Sequence, residues 1–450
     1  MLTIDNVWQL ENFVKQKGAT IGTKLGFVGL GQGGGKIVDA FAGIRNANGN
    51  AQYPVLCINT NMGDIQNLQN VDRANRLQLK GEEFEKGAGM DPAKGKKAMA
   101  ANGEIVFETL NRVMHNTEAI VVVASLGGGT GTGSINMVID VCADYLGKPV
   151  MAIVSLPNSH VDENVNAFEA LKELVPKLEE YREDGEGNSY RVLENIVILD
   201  NKKIIEEHIE AVEQGSTEVA NLSWDRYSNY KVASILHEWN VVTTLESDKT
   251  LDAEDFKNKL LFTGGVLTFA KKKINLQSGD LKSENDLINE IVATYRERNV
   301  LANGFDYKND AIAFGINIVM PKNTEKLLNK DTLEKINRQL QEELEGVPVY
   351  YGRSTWDSKH ALVYTICSLR GLPERAKNLK QESEELLAKQ KEREARQSGF
   401  AIDGDLSSRQ ERTSTRVRTG RAAAPANPFA TTEEKQVETK SAKKFNPFKE

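Results

Sequence analysis

The stretch from Ala119 to Ser134, AIVVVASLGGGTGTGS, limits the possible folds more than any other part of the chain. Its first half, residues 119–124, is apolar without the polar alternation of a half-exposed strand, and therefore predicts a buried strand. A helix is predicted after the glycines, with Ser134 as its N-cap, because apolar residues recur at helical spacing beyond it.

Glycines between a strand and a helix let backbone amides approach a phosphate group, and the helix N-terminus adds positive potential. A tight turn that binds no ligand is the alternative. The loop predicts the following phosphate contacts: Gly127, Gly128, Gly129, Thr130, Gly131, Thr132 and Gly133.

A second glycine-rich segment, GLGQGGGK at residues 29–36, follows a predicted strand near the start of the chain. Its glycines fit the dinucleotide fingerprint G-x-G-x-x-G, which needs an acidic residue at the end of the second strand. The second predicted strand, residues 54–58, ends instead in NTN. A Walker A loop needs Ser or Thr after its lysine, whereas Ile37 follows Lys36. The segment therefore departs from both of these phosphate-binding motifs.

Composition excludes several classes of protein. The 450 residues carry a net charge of −7 and are 40% hydrophobic, which suits two or three domains with real cores and argues against a general nucleic-acid binder. Three cysteines lie far apart in apolar runs, which indicates a reducing cytoplasm rather than a disulfide framework. We expect no signal peptide and no membrane span, because no apolar run approaches the ~20 residues needed to cross a bilayer.

The glycine-rich loops together resemble those of the tubulin/FtsZ superfamily of GTPases. Residues 127–133, GGGTGTG, match its signature loop without a mismatch, and residues 29–36 are similar to its first phosphate loop. Residues 59–61 resemble its NTD loop, and KGAGMDPAKGKKA at 86–98 resembles the loop that faces the γ-phosphate. The resemblance covers about residues 24–370. It implies an α/β fold with a Rossmann-type GTPase domain, GTP or GDP as ligand, and Mg²⁺ as cofactor.

Besides the signature loop, the resemblance implies nucleotide contacts at these positions: Gly31, Gln32, Gly33, Gly34, Lys36, Asn59, Asn61, Gly87, Ala88 and Gly89.

Other nucleotide contacts are implied with alternatives. Lys36 stands where FtsZ usually has asparagine, and either adds charge near the phosphates or points to solvent. Asp162 or Glu163 is implied as a ribose contact, while capping of the following helix is the other role open to both carboxylates. Asn201 is implied to read the guanine edge through its amide. Asn229 is a second guanine candidate, with a solvent-facing helix position as its alternative.

The segment TLDAEDF at residues 250–256 resembles the superfamily's catalytic NxDxxD loop, with Thr250 in place of the asparagine. Asp252 and Asp255 are three residues apart, which puts both carboxylates on one side of a helical turn. Two acids at a helix start are otherwise typical of capping. The resemblance implies that they complete the active site of a neighbouring subunit in a head-to-tail filament, so that hydrolysis depends on assembly.

The pattern of strands and helices predicts successive segments. They are an N-terminal extension (1–23), a GTP-binding domain (24–216), a long central helix (217–245), a second α/β domain (246–370), a charged C-terminal helix (371–400) and a disordered basic tail (401–450). The tail holds ten basic and seven acidic residues and ends in SAKKFNPFKE. Such a segment suits a docking motif as well as a solubilising tail.

Within the superfamily, three segments resemble the TubZ group of bacterial plasmids and phages. They are the central helix with its acidic loop, GGVLTFAK at 264–271, and RGLPERA before the charged helix. This implies cytoplasmic bacterial filaments that segregate DNA indirectly, through a DNA-bound TubR-like adaptor gripping the tail, without membrane contact. FtsZ-like cell division is the alternative. A Rossmann oxidoreductase would need the missing ribose-binding acid, and a non-enzymatic scaffold would lack the acids at 252 and 255.

Overall fold

The computed structural model describes residues 20–396, apart from residues 47, 159, 246, 250, 278–280, 282, 323 and 358–359. The predicted N-terminal extension is therefore described only from residue 20. The predicted tail over 401–450 and Thr250 lie outside the described residues. The described chain as far as Leu387 belongs to one compact unit, and the C-terminal helix continues beyond it into a second.

Strands and helices alternate along most of the chain. The N-terminal half consists of β1 (Leu25–Leu30), α1 (Gly31–Ala42), β2 (Val55–Asn59), α2 (Met62–Gln66), β3 (Arg76–Gln78), α3 (Pro92–Ala101), α4 (Gly103–Met114), β4 (Ala119–Ser125), α5 (Thr130–Asp144), β5 (Val150–Leu156), α6 (Val161–Leu174), the hairpin β6 (Tyr181–Glu183) and β7 (Ser189–Arg191), β8 (Asn195–Asp200), α7 (Asn201–Glu213), α8 (Thr217–Ala220) and α9 (Trp224–Val242).

The C-terminal half consists of β9 (Ser247–Lys249), α10 (Ala253–Asp255) with a π-helical turn (Phe256–Leu261), β10 (Gly265–Ile274), α11 (Glu284–Val292), α12 (Thr294–Glu297), α13 (Tyr307–Asp310), β11 (Ala311–Pro321), α14 (Lys330–Glu343), β12 (Val349–Trp356), β13 (Ala361–Leu369) and α15 (Glu374–Arg396). Across the described part of the chain, none of the helices combines the length and the apolar character that crossing a bilayer requires.

Eleven strands form one sheet in the order β3-β2-β1-β4-β5-β8-β10-β13-β11-β12-β9. The strands from β3 to β10 in that order all run parallel, whereas β13 is antiparallel to both of its neighbours. Gly265 of β10 pairs with Asn195 of β8, so the sheet continues from the N-terminal half into the C-terminal half. This confirms the predicted α/β class. Strand pairing between β8 and β10 connects two of the predicted domains, so the sheet does not mark a boundary between them. The predicted domain boundaries therefore remain predictions.

Strands β1, β2, β4 and β5 are buried on both faces, which explains their mostly apolar sequences. Successive side chains point to opposite faces. Phe27 of β1 belongs to a core that includes Phe41 of α1 and Trp239 of α9, while the adjacent Val28 belongs to the core on the other face, which includes Ile135 of α5. The rings of Phe27 and Phe41 stack with their centroids 3.8 Å apart. The central helix α9 therefore lies on one face of the sheet, and α5 lies on the other.

The central helix is shorter than predicted. A single helix was predicted over 217–245, but the structure has α8 and α9 separated by residues 221–223. Ser223 is extended, with φ −67° and ψ 150°, and its hydroxyl bonds to the side chain of Asp225. An extended residue with a polar side chain is the usual start of a helix, so α9 begins at Trp224.

The predicted second α/β domain contains α11 and α12, which meet at Ala293, and the long strand β12. Strand β12 pairs with β11 along its whole length, so tertiary pairing rather than local sequence sets its end. The charged helix predicted over 371–400 begins at Glu374.

Helix α9 carries buried polar side chains that bind both halves of the chain. The Tyr53 hydroxyl lies 2.9 Å from His237 Nδ1 and accepts from Asn240 Nδ2 at 3.2 Å. Towards the C-terminal half, Lys271 of β10 forms an ion pair with Glu238, and both side chains are buried. The central helix is thus held by hydrogen bonds and charge pairing as well as by apolar contacts.

Burial lowers the pKa of His237 to about 4, so its imidazole is neutral in the folded protein at neutral pH. A histidine in the unfolded chain titrates near ~6.5 and therefore takes up its proton first as the pH falls. We expect His237 to leave the free energy of unfolding nearly unchanged above about pH 6.5 and to lower it by about 2 kcal/mol at pH 5. Urea unfolding at pH 7 and pH 5 measures this loss, which should be about 2 kcal/mol smaller in His237→Gln. Equal losses in the two proteins would contradict the assignment.

Candidate functional site

The carboxyl ends of β1, β2, β4, β5 and β8 meet at one edge of the sheet, where the loops that follow them enclose a cavity of about 900 Å³. This is the place where open parallel sheets bind ligands. The structure brings these predicted residues together in its lining: Gly31, Gln32, Gly33, Lys36, Asn59, Asn61, Gly87, Ala88, Gly89, Gly127, Gly128, Gly129, Thr130, Gly131, Glu163, Asn201 and Asn229. The lining does not include Gly34, Thr132, Gly133 or Asp162.

The signature loop forms the first turn of a helix. Strand β4 ends at Ser125 and α5 begins at Thr130, so the predicted N-cap at Ser134 is wrong. Ser134 is buried within α5, with its hydroxyl 3.5 Å from the carbonyl oxygen of Gly95. The helix starts early because small residues let α3 approach it: a Cβ on Gly95 would lie 2.3 Å from the carbonyl oxygen of Gly129. The amides without helical partners in this turn therefore belong to the cavity wall.

Three of the predicted contacts, Gly34, Thr132 and Gly133, lie against neighbouring backbone instead of lining the cavity. A Cβ on Gly34 would lie 2.3 Å from a backbone carbonyl oxygen of β4, and one on Gly133 would lie 2.0 Å from the carbonyl oxygen of Pro92. The Thr132 hydroxyl donates to the Ser125 carbonyl at 3.4 Å. Gly34 and Gly133 are small because backbone approaches backbone there, and all three residues hold loops of the cavity without lining it.

The asparagines of the loop after β2 use their side chains to shape that loop. Asn59 Oδ1 accepts from the amide of Thr60 at 2.8 Å, and Asn61 Oδ1 accepts from the amide of Gly63 at 2.9 Å. The Thr60 hydroxyl lies 2.9 Å from the hydroxyl of Thr130, which connects this loop to the signature loop. Both loops are therefore fixed relative to each other at the cavity wall.

The first glycine segment is also helical, since α1 begins at Gly31. Gly31 has a φ of +70°, in the left-handed region that favours glycine. The structure gives Lys36 a partner that the sequence did not predict: its ammonium lies 2.9 Å from Asp225 Oδ2, and both residues line the cavity. Burial acts to raise the pKa of Asp225, but hydrogen bonds from Ser223 and Lys36 outweigh it and keep that pKa below its usual range.

The loop over residues 86–91 has an unusual backbone. Gly87 has a φ of 108°, and Met90 has a φ of 62°, which is uncommon for a residue other than glycine. Asn166 of α6 donates from Nδ2 to the carbonyl oxygens of Met90 at 3.0 Å and Gly127 at 3.2 Å. One amide therefore connects this loop with the signature loop.

Helices α7 and α9 complete the lining. Asn201 Oδ1 accepts from the Ser228 hydroxyl at 3.5 Å, and Asn229 lies beside them in the lining. Trp224, the first residue of α9, is 39% exposed and also lines the cavity. Its indole offers a flat face next to side-chain amides, an arrangement that suits a heteroaromatic ring. Trp224 and Ser228 were not predicted from the sequence. The signal available for Ser228 was its position next to the predicted contact Asn229, and Trp224 offered none because the start of α9 was not predicted.

The two candidate ribose carboxylates have different positions. Glu163 lines the cavity, and its Cβ would lie 3.0 Å from a Cβ placed on Gly127. Asp162 and Glu163 both belong to the first turn of α6, where negative charge is favourable next to the helix dipole. Glu163 thus stays a candidate for the ribose contact, and the dipole interaction is the role that the structure supports for Asp162.

Asp252 and Asp255 lie away from the cavity. Asp252 Oδ1 accepts from the amide of Asp255 at 2.8 Å and caps α10. Helix α10 and its π-helical turn lead into β10, which runs parallel to β8, so they lie at the edge where these strands begin. In agreement, Lys257 of the π-helical turn lies 3.7 Å from Glu118, the residue before β4. Within one chain, the acids and the cavity are therefore at opposite edges of the sheet.

Comparisons with known proteins agree along the chain. Residues 24–181 match the family model for the tubulin/FtsZ family GTPase domain, and residues 238–380 match that for the tubulin/FtsZ-like protein TubZ-like C-terminal domain. Together the two matches cover two thirds of the 450 residues. The tubulin-like protein TubZ of Bacillus thuringiensis subsp. israelensis is 29% identical over 396 residues, which are 83% of this chain and 79% of that protein.

Solved structures show the same likeness. The crystal structure of a GTPγS-form protofilament of Bacillus thuringiensis serovar israelensis TubZ superposes with a TM-score of 0.73 at 27% identity, covering 86% of this chain and 99% of that one. A structure of the type III plasmid segregation protein TubZ superposes with a TM-score of 0.69 at 26% identity, covering 87% of this chain and 99% of that one.

Proposed function

Since the chain belongs to the tubulin/FtsZ superfamily, with a TubZ-like C-terminal domain, we propose that it polymerises head to tail with GTP and hydrolyses the GTP between subunits. The observation that carries this proposal is the position of Asp252 and Asp255 at the edge of the sheet opposite the cavity. A molecule whose two half-sites face away from each other needs a second copy to unite them. Repetition of such a contact produces an open filament.

The lining of the cavity suits a guanine nucleotide. The phosphates would lie against the amides of residues 127–131 and of the first glycine segment, and the ribose beside Glu163. Asn201 and Asn229 would face the guanine edge, because an amide both donates and accepts hydrogen bonds, as guanine does. The indole of Trp224 would stack on the base.

Mg²⁺ would enter this site with the nucleotide. Over the described ranges, no group of three His, Cys, Asp or Glu side chains is arranged to hold a metal ion. Mg²⁺ commonly relies on phosphate oxygens, waters and one or two side chains. The oxygen donors that fit are the hydroxyls of Thr60 and Thr130, 2.9 Å apart, and the carboxylate of Asp64 in the lining. When bound, the ion would neutralise negative charge on the phosphates.

Hydrolysis would then depend on positioning, charge stabilisation and an oriented water. The amides of the first turn of α5 face the phosphates and stabilise their charge. The acids of the next subunit would orient the attacking water and accept its proton. Asp252 is exposed, so it is accessible to a neighbouring subunit.

The loop over 86–91 would communicate the nucleotide state to the filament contact. Met90 lines the cavity and is also 45% exposed, so the same loop faces the ligand and the outside of the subunit. Asn166 holds this loop to the signature loop. Loss of the γ-phosphate would remove one partner of the loop and weaken the contact with the next subunit.

We extend the proposal to segregation of plasmid or phage DNA in the bacterial cytoplasm. One similar structure is that of a plasmid segregation TubZ, and the C-terminal match to a TubZ-like domain favours this role over FtsZ-like cell division. The tail over 401–450 has ten basic and seven acidic residues in a chain whose net charge is −7. A DNA-bound TubR-like adaptor gripping that tail, rather than direct DNA binding, would connect filament and DNA.

Replacement of Asp252 tests catalysis in trans. Asp252→Ala and Asp252→Asn should bind GTP and assemble. They should release phosphate more slowly than the wild type by a factor of about 10² or more, which leaves over-stable filaments. Asparagine caps a helix as well as aspartate does, so the Asn variant separates the charge from the capping role. Phosphate release and sedimentation measure the two effects, and the neighbouring Glu254→Ala serves as control. Wild-type phosphate release by Asp252→Asn filaments would contradict the proposal.

Deletion of residues 441–450 tests the proposed role of the tail. The shortened chain should polymerise with GTP as the full chain does, but fail to maintain the replicon that encodes it. The chain has a second NPF sequence at 427–429, so Phe429→Ala is a matched control for Phe448→Ala. Polymerisation is followed by light scattering, and replicon loss by plating without selection. Normal maintenance by the deleted chain would contradict the adaptor role of this segment.

A further inference from the structure

Arg375, in the first turn of α15, joins the C-terminal helix to the cavity. Its side chain is 13% exposed. Its Nη1 donates to Asp200 Oδ1 at 2.5 Å, and its Nη2 donates to the carbonyl oxygens of Pro157 at 2.6 Å and Asn158 at 2.7 Å. Its Nε donates to Glu382 Oε2 at 3.1 Å, which holds the guanidinium from its own helix. The planar fork of arginine is suited to several acceptors at once.

The partners of Arg375 belong to the wall of the cavity. Pro157 and Asn158 follow β5 and line the cavity themselves. Asp200 ends β8 and caps α7, accepting from the amide of Lys202 at 3.0 Å. The next residue, Asn201, lines the cavity and is the proposed guanine contact. One side chain therefore fixes the segments after β5 and β8 on this wall.

The start of α15 is held against the body independently of Arg375. The amide of Glu374 donates to the carbonyl of Gly304 at 2.9 Å, and Leu379 is completely buried. Lys377 lies 3.8 Å from Asp310, the last residue of α13, which is outside the cavity lining. The helix should therefore stay in place when Arg375 is replaced, while the wall of the cavity loses its support.

We propose that Arg375 is a positioning residue for the nucleotide, and that it couples the C-terminal helix energetically to nucleotide binding. The inference rests on the proposed function for the identity of the ligand. Without the guanidinium, the buried Asp200 carboxylate keeps the amide of Lys202 but loses its charged donor, and the carbonyl groups of Pro157 and Asn158 lose the donor that Arg375 supplies. The loop after β5 and the start of α7 then loosen. Because coupling is reciprocal, a bound nucleotide steadies α15, and a partner that displaces α15 weakens nucleotide binding.

The test uses a fluorescent GDP analogue and the full chain at concentrations below assembly. Arg375→Ala should weaken binding about tenfold, mainly through faster release, because hydrogen bonds to charged groups are lost. Arg375→Lys keeps the charge but donates to fewer acceptors, so its affinity should lie between those of the wild type and Arg375→Ala. Lys377→Ala, on the same helix, should bind as the wild type does.

Amide exchange separates positioning from a purely structural role. In the wild-type chain, GDP should slow the exchange of amides in residues 376–383, and in Arg375→Ala it should not. The inference would be overturned if Arg375→Ala had a lower unfolding midpoint but the affinity and release rate of the wild type. If Arg375→Ala did not fold, wild-type binding and release by Arg375→Lys would overturn it. A wild-type chain that fails to bind GDP would instead overturn the proposed function.

Discussion

The shared direction of the parallel strands places the cavity and the acids at 252 and 255 at opposite edges of the sheet. From β3 to β10 the neighbouring strands run in one direction, so every loop that follows a strand is at one edge and every loop that precedes a strand is at the other. The cavity is built from the first kind of loop, and the acids at 252 and 255 belong to the second. No side-chain movement brings such groups together within one chain. The proposed dependence of turnover on a second subunit rests on this strand direction.

The glycine-rich segments serve packing as much as ligand binding. Gly95 and Gly133 let α3 and α5 approach until backbone meets backbone, and Gly34 does the same for α1 and β4. This close approach is what starts α5 at Thr130 and places its first amides in the cavity wall. The signature loop is therefore packed tightly into the edge of the sheet. The loop over 86–91 differs from it in having a residue other than glycine, Met90, with a positive φ.

The sequence predicted much of this arrangement because its signals are local. Strands β2 and β4 were predicted to within one residue at each end, since unbroken apolar runs bounded by turns leave little choice. The loops that line the cavity were found because each carries its own motif. Ser134 was misplaced as an N-cap because the packing of Gly95 against the signature loop, which starts the helix early, is not visible in the local pattern.

Contacts between distant parts of the chain were beyond the same reasoning. Lys36 and Asp225 are 189 residues apart, and Arg375 and Asp200 are 175 apart, so neither pair has a sequence signature. Their partners depend on where the central and C-terminal helices pack on the finished sheet. The roles of the cavity residues in binding GTP remain predictions, which the fold makes specific by bringing them to one wall.

The most direct measurement is the rate of GTP turnover per subunit as the protein is diluted through its assembly threshold. If each subunit supplies the acids for its neighbour's nucleotide, turnover per subunit should be close to zero in the dilute, unassembled chain and should rise in proportion to the assembled fraction. A turnover per subunit that stays constant across the threshold would show that one chain suffices, and would contradict the account.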